Sequence, residues 1–161
     1  MNGQATTGKY IRELWILFIA VLSSCMAAAL LSYYLQPGLK APASEVHLLV
    51  YIGVGMGIAI SLGALILWRQ LTKNAAQSAS FAEKLQGFRT AYLVLLSMLE
   101  GAVLMNFIFY YIEGHSANFF MAAGILLVMG SRFPSRSVII NMLGLSNQEQ
   151  IYLHKEDHNL S

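Results

Sequence analysis

The sequence predicts an all-α integral membrane protein. The expected architecture is a four-helix bundle with both termini cytoplasmic and a short amphipathic C-terminal tail. Three observations carry this. Of 161 residues, 57% are hydrophobic and only 11% charged, whereas a soluble domain carries about 25% charged residues. Four apolar stretches are each long enough for a span, which needs about 17–25 residues. Nine of the ten Lys and Arg fall in the segments that four spans would gather on one side.

The spans are expected at 15–35, 46–68, 90–112 and 117–133. An open sheet would leave edge amides unpaired in lipid, so all four read as helices. Residues 1–133 then form the membrane domain and 134–161 a cytoplasmic or interfacial tail. Between the second and third spans, Ser80 and Glu83 have the spacing of a capping box, which starts the third helix near Phe81, several turns before the membrane. Gln36-Pro37-Gly38 is a turn signal. Glu113-Gly114-His115-Ser116 is a tight connection, so the third and fourth helices should be antiparallel neighbours. After Pro134, residues Val138, Ile139, Met142, Leu143 and Leu145 suggest a short amphipathic helix at the membrane surface. Ser146 and Glu149 repeat the capping-box spacing, which starts another helix at Asn147.

Orientation follows from charge. Lys9, Arg12, Arg69, Lys73, Lys84, Arg89, Arg132, Arg136 and Lys155 share one side, and Lys40 alone lies on the other. Positively charged loops stay cytoplasmic. The expected location is a bacterial inner membrane. Trp15, Trp68, Phe88, Tyr92 and Phe133 fall near the inner ends of the spans, and Tyr33, Tyr34, Tyr51, Tyr110 and Tyr111 near the outer ends. Aromatic rings gather at both interfaces, where an apolar body and a polar tip are each satisfied.

Glu100 sits at the centre of the third span. A carboxylate at that depth costs several kcal/mol on most estimates, so it is expected to face protein or water and to mark a function. Ser97 lies one turn before it, and Asn106 is a second polar residue on a different face. One reading is a protonatable site for ion movement or ligand binding. The other is a structural carboxyl hydrogen-bonded to a Ser, Asn or Tyr of the next helix. Ser97 with Gly101 makes a small-xxx-small step. So do Gly53, Gly57 and Ser61 in the second span, and Ala20, Ser24, Ala28 and Ser32 in the first. Such stripes let helix backbones approach closely, within a bundle or between protomers.

Gly53, Gly55 and Gly57, then a polar loop, then Glu100 form an order that resembles the proteolipid c subunit of rotary ATPases. The resemblance covers less than half the chain. The loop is longer than in that family and lacks its short Arg-Gln/Asn-Pro turn, and the other spans lack their own glycine repeat. Leu22-Ser23-Ser24-Cys25 has the look of a bacterial lipoprotein cleavage box, but the apolar run continues to Leu35 as in a full span. On the outer loops, Glu45 with His47 and Glu113 with His115 form two Glu-x-His pairs that could bind zinc or copper.

No nucleotide loop, Ser/His/Asp set or paired carboxylates at one depth are found. The dispersed basic residues exclude a nucleic-acid footprint. No cofactor is strongly implied. The sequence therefore favours a non-catalytic membrane subunit or accessory protein that self-associates or binds another membrane protein, with the bilayer as its solvent. An ion- or proton-coupled conductor using Glu100 is the alternative, and a protein binding metal at the outer Glu and His residues is the third.

Overall fold

The computed structural model describes residues 6–35 and 48–155. These form six α-helices: α1 Thr7–Leu35, α2 Leu48–Ala76, α3 Phe81–Glu113, α4 Ser116–Gly130, α5 Arg136–Leu143 and α6 Asn147–His154. The first three are long and apolar enough to cross a membrane, and α4 is a shorter apolar helix. The protein is thus all-helical and has the make-up of an integral membrane protein. The Gln36-Pro37-Gly38 turn, Lys40, Glu45 and His47 lie outside the described residues.

Local chemistry explains most boundaries. At the start of α3, Ser80 N–H donates to Glu83 Oε2 at 3.3 Å, and Glu83 N–H donates to Ser80 Oγ at 3.2 Å. This reciprocal pair satisfies two helix-end amides. The α3–α4 connection turns at Gly114, whose φ of 72° lies in the left-handed region that glycine enters without strain. His115 follows as the N-cap of α4. Across this hairpin Phe119 packs on Phe107 and Tyr110, with ring centroids 5.8 and 5.2 Å apart.

The fourth helix ends at Gly130, earlier than the apolar run that reaches Phe133. Pro134 disfavours helical geometry for Phe133, and the turn begins at Ser131. A second capping box, Ser146 with Glu149, opens α6.

The chain packs as two units. One comprises Met1–Ile19, Ile66–Leu95 and Phe133–Ser161. Its described core gathers Leu14, Phe18, Trp68, Leu85, Phe88, Tyr92, Ile139, Leu143 and Leu153. Tyr10 donates its hydroxyl to the Leu85 carbonyl at 2.7 Å, tying α1 to α3. Lys84 and Glu149 pair at 2.8 Å and tie α3 to α6. The segment after α4 is held by Trp15, whose indole N–H donates to the Pro134 carbonyl at 3.1 Å. Phe133 packs against both Trp15 and Phe18.

The other unit comprises Ala20–Leu65 and Leu96–Arg132. Leu96, Leu99, Ala102, Val103, Phe107, Ala122, Ile125 and Met129 make its core, together with Cys25 of α1 and Ala64 of α2. On α1 it leaves Met26, Leu30, Leu31, Tyr33 and Tyr34 exposed, and on α2 Tyr51, Met56, Ile58 and Leu62. Such faces suit hydrocarbon or another membrane protein, and would be unfavourable in water.

Candidate functional site

Two polar clusters lie within the second unit. The first centres on Glu100. Ser24 Oγ lies 2.6 Å from Glu100 Oε1 and 2.8 Å from the Val21 carbonyl oxygen. A serine hydroxyl carries one proton, so it serves only one of these acceptors at a time. If Ser24 donates to the ionised Glu100, its bond to Val21 is given up. If Ser24 donates to Val21, the contact with Glu100 requires a protonated carboxyl that donates to Ser24 Oγ. The pair accommodates either charge state of the acid without moving a heavy atom.

Cover over this pair is incomplete. Glu100 is half-buried, while Ser24, Ser97 and Gly101 are exposed. A methyl group placed on Gly101 would meet nothing within 4 Å. No hydrogen bond links Ser97 to Glu100 among the described residues, so Ser97 contributes small size on this face and not a ligand. Ala28, one turn beyond Ser24, is half-buried. Cys25, beside Ser24 in sequence, is fully buried within the unbroken α1.

The second cluster is built on the glycine stripe of α2. Gly53 and Gly57 are both buried. A Cβ at Gly53 would sit 2.6 Å from Asn118 Oδ1 and 3.2 Å from Asn106 Oδ1. One at Gly57 would sit 2.9 Å from Asn106 Nδ2 and 3.1 Å from Met121 Cε. The absent side chains therefore make room for amides from α3 and α4. Asn106 Nδ2 donates to the Ala102 carbonyl one turn earlier, at 2.9 Å. Its Oδ1, both side-chain polar atoms of Asn118 and the Ser61 hydroxyl have no hydrogen-bond partner among the described residues. Both asparagines are fully buried. The sequence does not single out Asn118, because it lies near the start of the shortest apolar segment, beside the polar His115 and Ser116. Its one available signal was its place four residues before Ala122 on the face that α4 buries.

The Glu113 carboxylate and the His115 imidazole have structural work. Glu113 Oε1 accepts the Leu49 backbone N–H at 3.2 Å, holding the first turn of α2 against the end of α3. His115 Nδ1 accepts the Ala117 N–H at 3.2 Å and caps α4. Glu45 and His47, the other half of the candidate metal set, lie outside the described residues. Among the described residues no group of three or more His, Cys, Asp or Glu could hold a metal.

No protein-family model, curated protein or solved structure matches the chain.

Proposed function

We propose that the protein is a non-catalytic integral membrane subunit or accessory protein, and that a second copy or another membrane protein covers the face carrying Ser24 and Glu100. The observation that carries this reading is the 2.6 Å Ser24–Glu100 contact on a face its own chain leaves partly open. Facing lipid, a half-buried carboxyl lacks partners for its remaining hydrogen-bonding capacity, which is costly in hydrocarbon. Covering it removes that cost. The exposed Ser97 and Gly101 allow an incoming helix backbone to approach closely.

In this reading four helices cross the bilayer, with both termini on the cytoplasmic side of a bacterial inner membrane. Support comes from the joint packing of the start of α1 with the segment after α4, through Trp15, Phe18, Phe133 and Pro134. The charge asymmetry gives that shared end its cytoplasmic address.

Self-association is tested by sizing the purified protein in mild detergent and by cross-linking it in native membranes. A complex larger than one chain in wild type, reduced in Glu100→Leu, is expected. A monomer with no cross-linked neighbour, unaltered by Glu100→Leu, would defeat the proposal.

Proton handling by Glu100 is the second reading, favoured by the ability of the Ser24–Val21 arrangement to serve either charge state. Glu100→Gln separates the two. The amide preserves the shape and can donate to Ser24 Oγ, so a structural site keeps its assembly and its cellular role. A proton carrier assembles normally but loses its transport.

A further inference from the structure

Ser24 and Glu100, 76 positions apart in sequence, stand at the head of two rows of side chains on α1 and α3. One turn further along both helices an open groove of about 310 Å³ begins, within the same unit. Its described walls are four residues of α1 and four of α3, and they keep that offset. Ala28 stands to Leu104, Ser32 to Ile108 and Leu35 to Tyr111 as Ser24 stands to Glu100. Steps of three or four residues stay on one face of a helix. The carboxyl therefore lies at one end of the groove's own rows, about one helical turn, or 5 Å, before its first residues.

The described lining side chains are hydrocarbon apart from the Ser32 and Tyr111 hydroxyls. Two of the walls are aromatic, the buried Phe107 and the exposed Tyr111. The volume is at the lower end of the range for small-molecule sites, and the rows from Ala28 to Leu35 run about 10 Å. Both select a slim occupant. A lipid acyl chain matches the walls, but it leaves Glu100 with Ser24 as its one hydrogen-bond partner among the described residues, at a cost in hydrocarbon. A bare cation matches the carboxyl and not the walls. An amine with an apolar body matches both. Hydrogen bonds from an ammonium to a carboxylate are the strong kind, and an ionisable side chain inside a membrane is stabilised by pairing.

We infer that this groove binds a small lipophilic amine, with its ammonium on the Glu100 carboxylate beside Ser24 and its alkyl body between the α1 and α3 rows. The inference goes beyond the association reading and does not rest on it. The amine reaches Glu100 along the groove, whatever lies over Ser97 and Gly101.

The test uses the full chain in phosphatidylcholine nanodiscs, whose lipid carries no net charge. They are titrated at neutral pH with radiolabelled decylamine or with decanol, its uncharged counterpart, and uptake by empty nanodiscs is subtracted. Decylamine is expected to bind saturably and roughly tenfold tighter than decanol, the difference between a charge-assisted and a neutral hydrogen bond. Glu100→Gln should bring that ratio close to one. Ala28→Leu, which fills the groove and leaves the carboxyl in place, should weaken both ligands together. If Ala28→Leu does not fold, Ile108→Trp, at an exposed wall position, takes its place. Equal wild-type affinities would assign the groove to a lipid chain and overturn the inference. So would a ratio that survives Glu100→Gln, or binding that ignores a filled groove. Oligomeric state is read on the same nanodiscs. Amine binding to a single chain upholds the inference where the association reading fails. An oligomer without saturable amine binding upholds that reading and overturns the inference.

Discussion

Ser24 of α1 lies within 2.6 Å of the Glu100 carboxyl of α3, and its hydroxyl is shared with the Val21 carbonyl 2.8 Å away. This contact joins two long apolar helices through the one carboxyl at the middle of the third span. Its strength is bounded by experience with hydrogen bonds between membrane helices, which average about 0.6 kcal/mol and reach about 1.7. Such a bond orients two helices and does not by itself hold a protein together. Its chemistry matters more than its energy, because a single hydroxyl proton arbitrates between the carbonyl and the acid.

Three substitutions follow from that geometry. Ser24→Ala should lower the thermal midpoint in detergent by a few degrees, matching the loss of one hydrogen bond of about 1 kcal/mol. Glu100→Gln should leave the midpoint close to wild type. Glu100→Leu breaks the same hydrogen bond, so it should lower the midpoint of the isolated chain by no more than Ser24→Ala does, but it should also weaken association in membranes. A large fall in the midpoint for Glu100→Leu, with association intact, would assign the carboxyl to internal stability alone.

The two glycines on opposite sides of α2 provide a matched pair. Gly57→Leu drives a side chain into Asn106 and Met121, where even a Cβ would approach to 2.9 Å and 3.1 Å. Overpacking of this kind costs about 1–3 kcal/mol. Gly55 is exposed, and a Cβ there meets nothing within 4 Å. Gly55→Leu should therefore be tolerated and could gain from better helix propensity. Equal midpoints for the two variants would contradict the stripe's packing role.

Asn118 makes the opposite prediction. Both polar atoms of its amide are buried without a partner among the described residues, and such a group costs about 1–3 kcal/mol. Asn118→Leu keeps a similar volume and removes that cost, so the thermal midpoint should rise by a few degrees. A clear fall would show that the amide is satisfied within the membrane and that the stripe is a polar seam the protein depends on.

Glu149 gives a pH dependence outside the membrane spans. Burial pushes its carboxyl up, but the hydrogen bonds from Lys84 and Ser146 and the charge of Lys84 outweigh this, leaving it below the ordinary carboxylate value. A lowered value in the folded state means the unfolded chain binds the proton more readily. The contribution is therefore present above the ordinary Glu value of about 4.3 and is lost as pH falls through the folded value. Docking of α6 onto α3 should loosen as the solution is acidified below that range, read by hydrogen exchange at the α6 amides. Glu149→Gln should show the loosened state at neutral pH and remove the dependence.

The long helices were legible because hydrophobic length and capping chemistry are local properties. The Ser80–Glu83 and Ser146–Glu149 boxes form as their spacing predicts. Glu100 stood out because a lone carboxyl in an apolar run is conspicuous. Its contact with Ser24 spans 76 residues of sequence, and no local pattern encodes which serine of the first helix meets it. Asn106 and Asn118 show the same limit, since their meeting over Gly53 depends on how three helices pack.

The length of α4 decides the number of crossings. Its 15 residues span about 22 Å, against a hydrocarbon core of about 30 Å. A shorter helix crosses only if the bilayer thins or flanking residues extend the path, at modest cost per Å. Residues 131–135, which run from the end of α4 to Ser135, provide such an extension and reach Trp15 and Phe18 of α1. A fourth crossing is therefore expected, placing Lys155 on the same side as Asn74. Single cysteines at Asn74, Ser116 and Lys155, all exposed positions, test this against a membrane-impermeant label, with the buried Cys25 silent. In intact cells only Ser116→Cys should react, and all three should react once the membrane is opened. Labelling of Lys155→Cys together with Ser116→Cys in intact cells would mean that α4 returns without crossing.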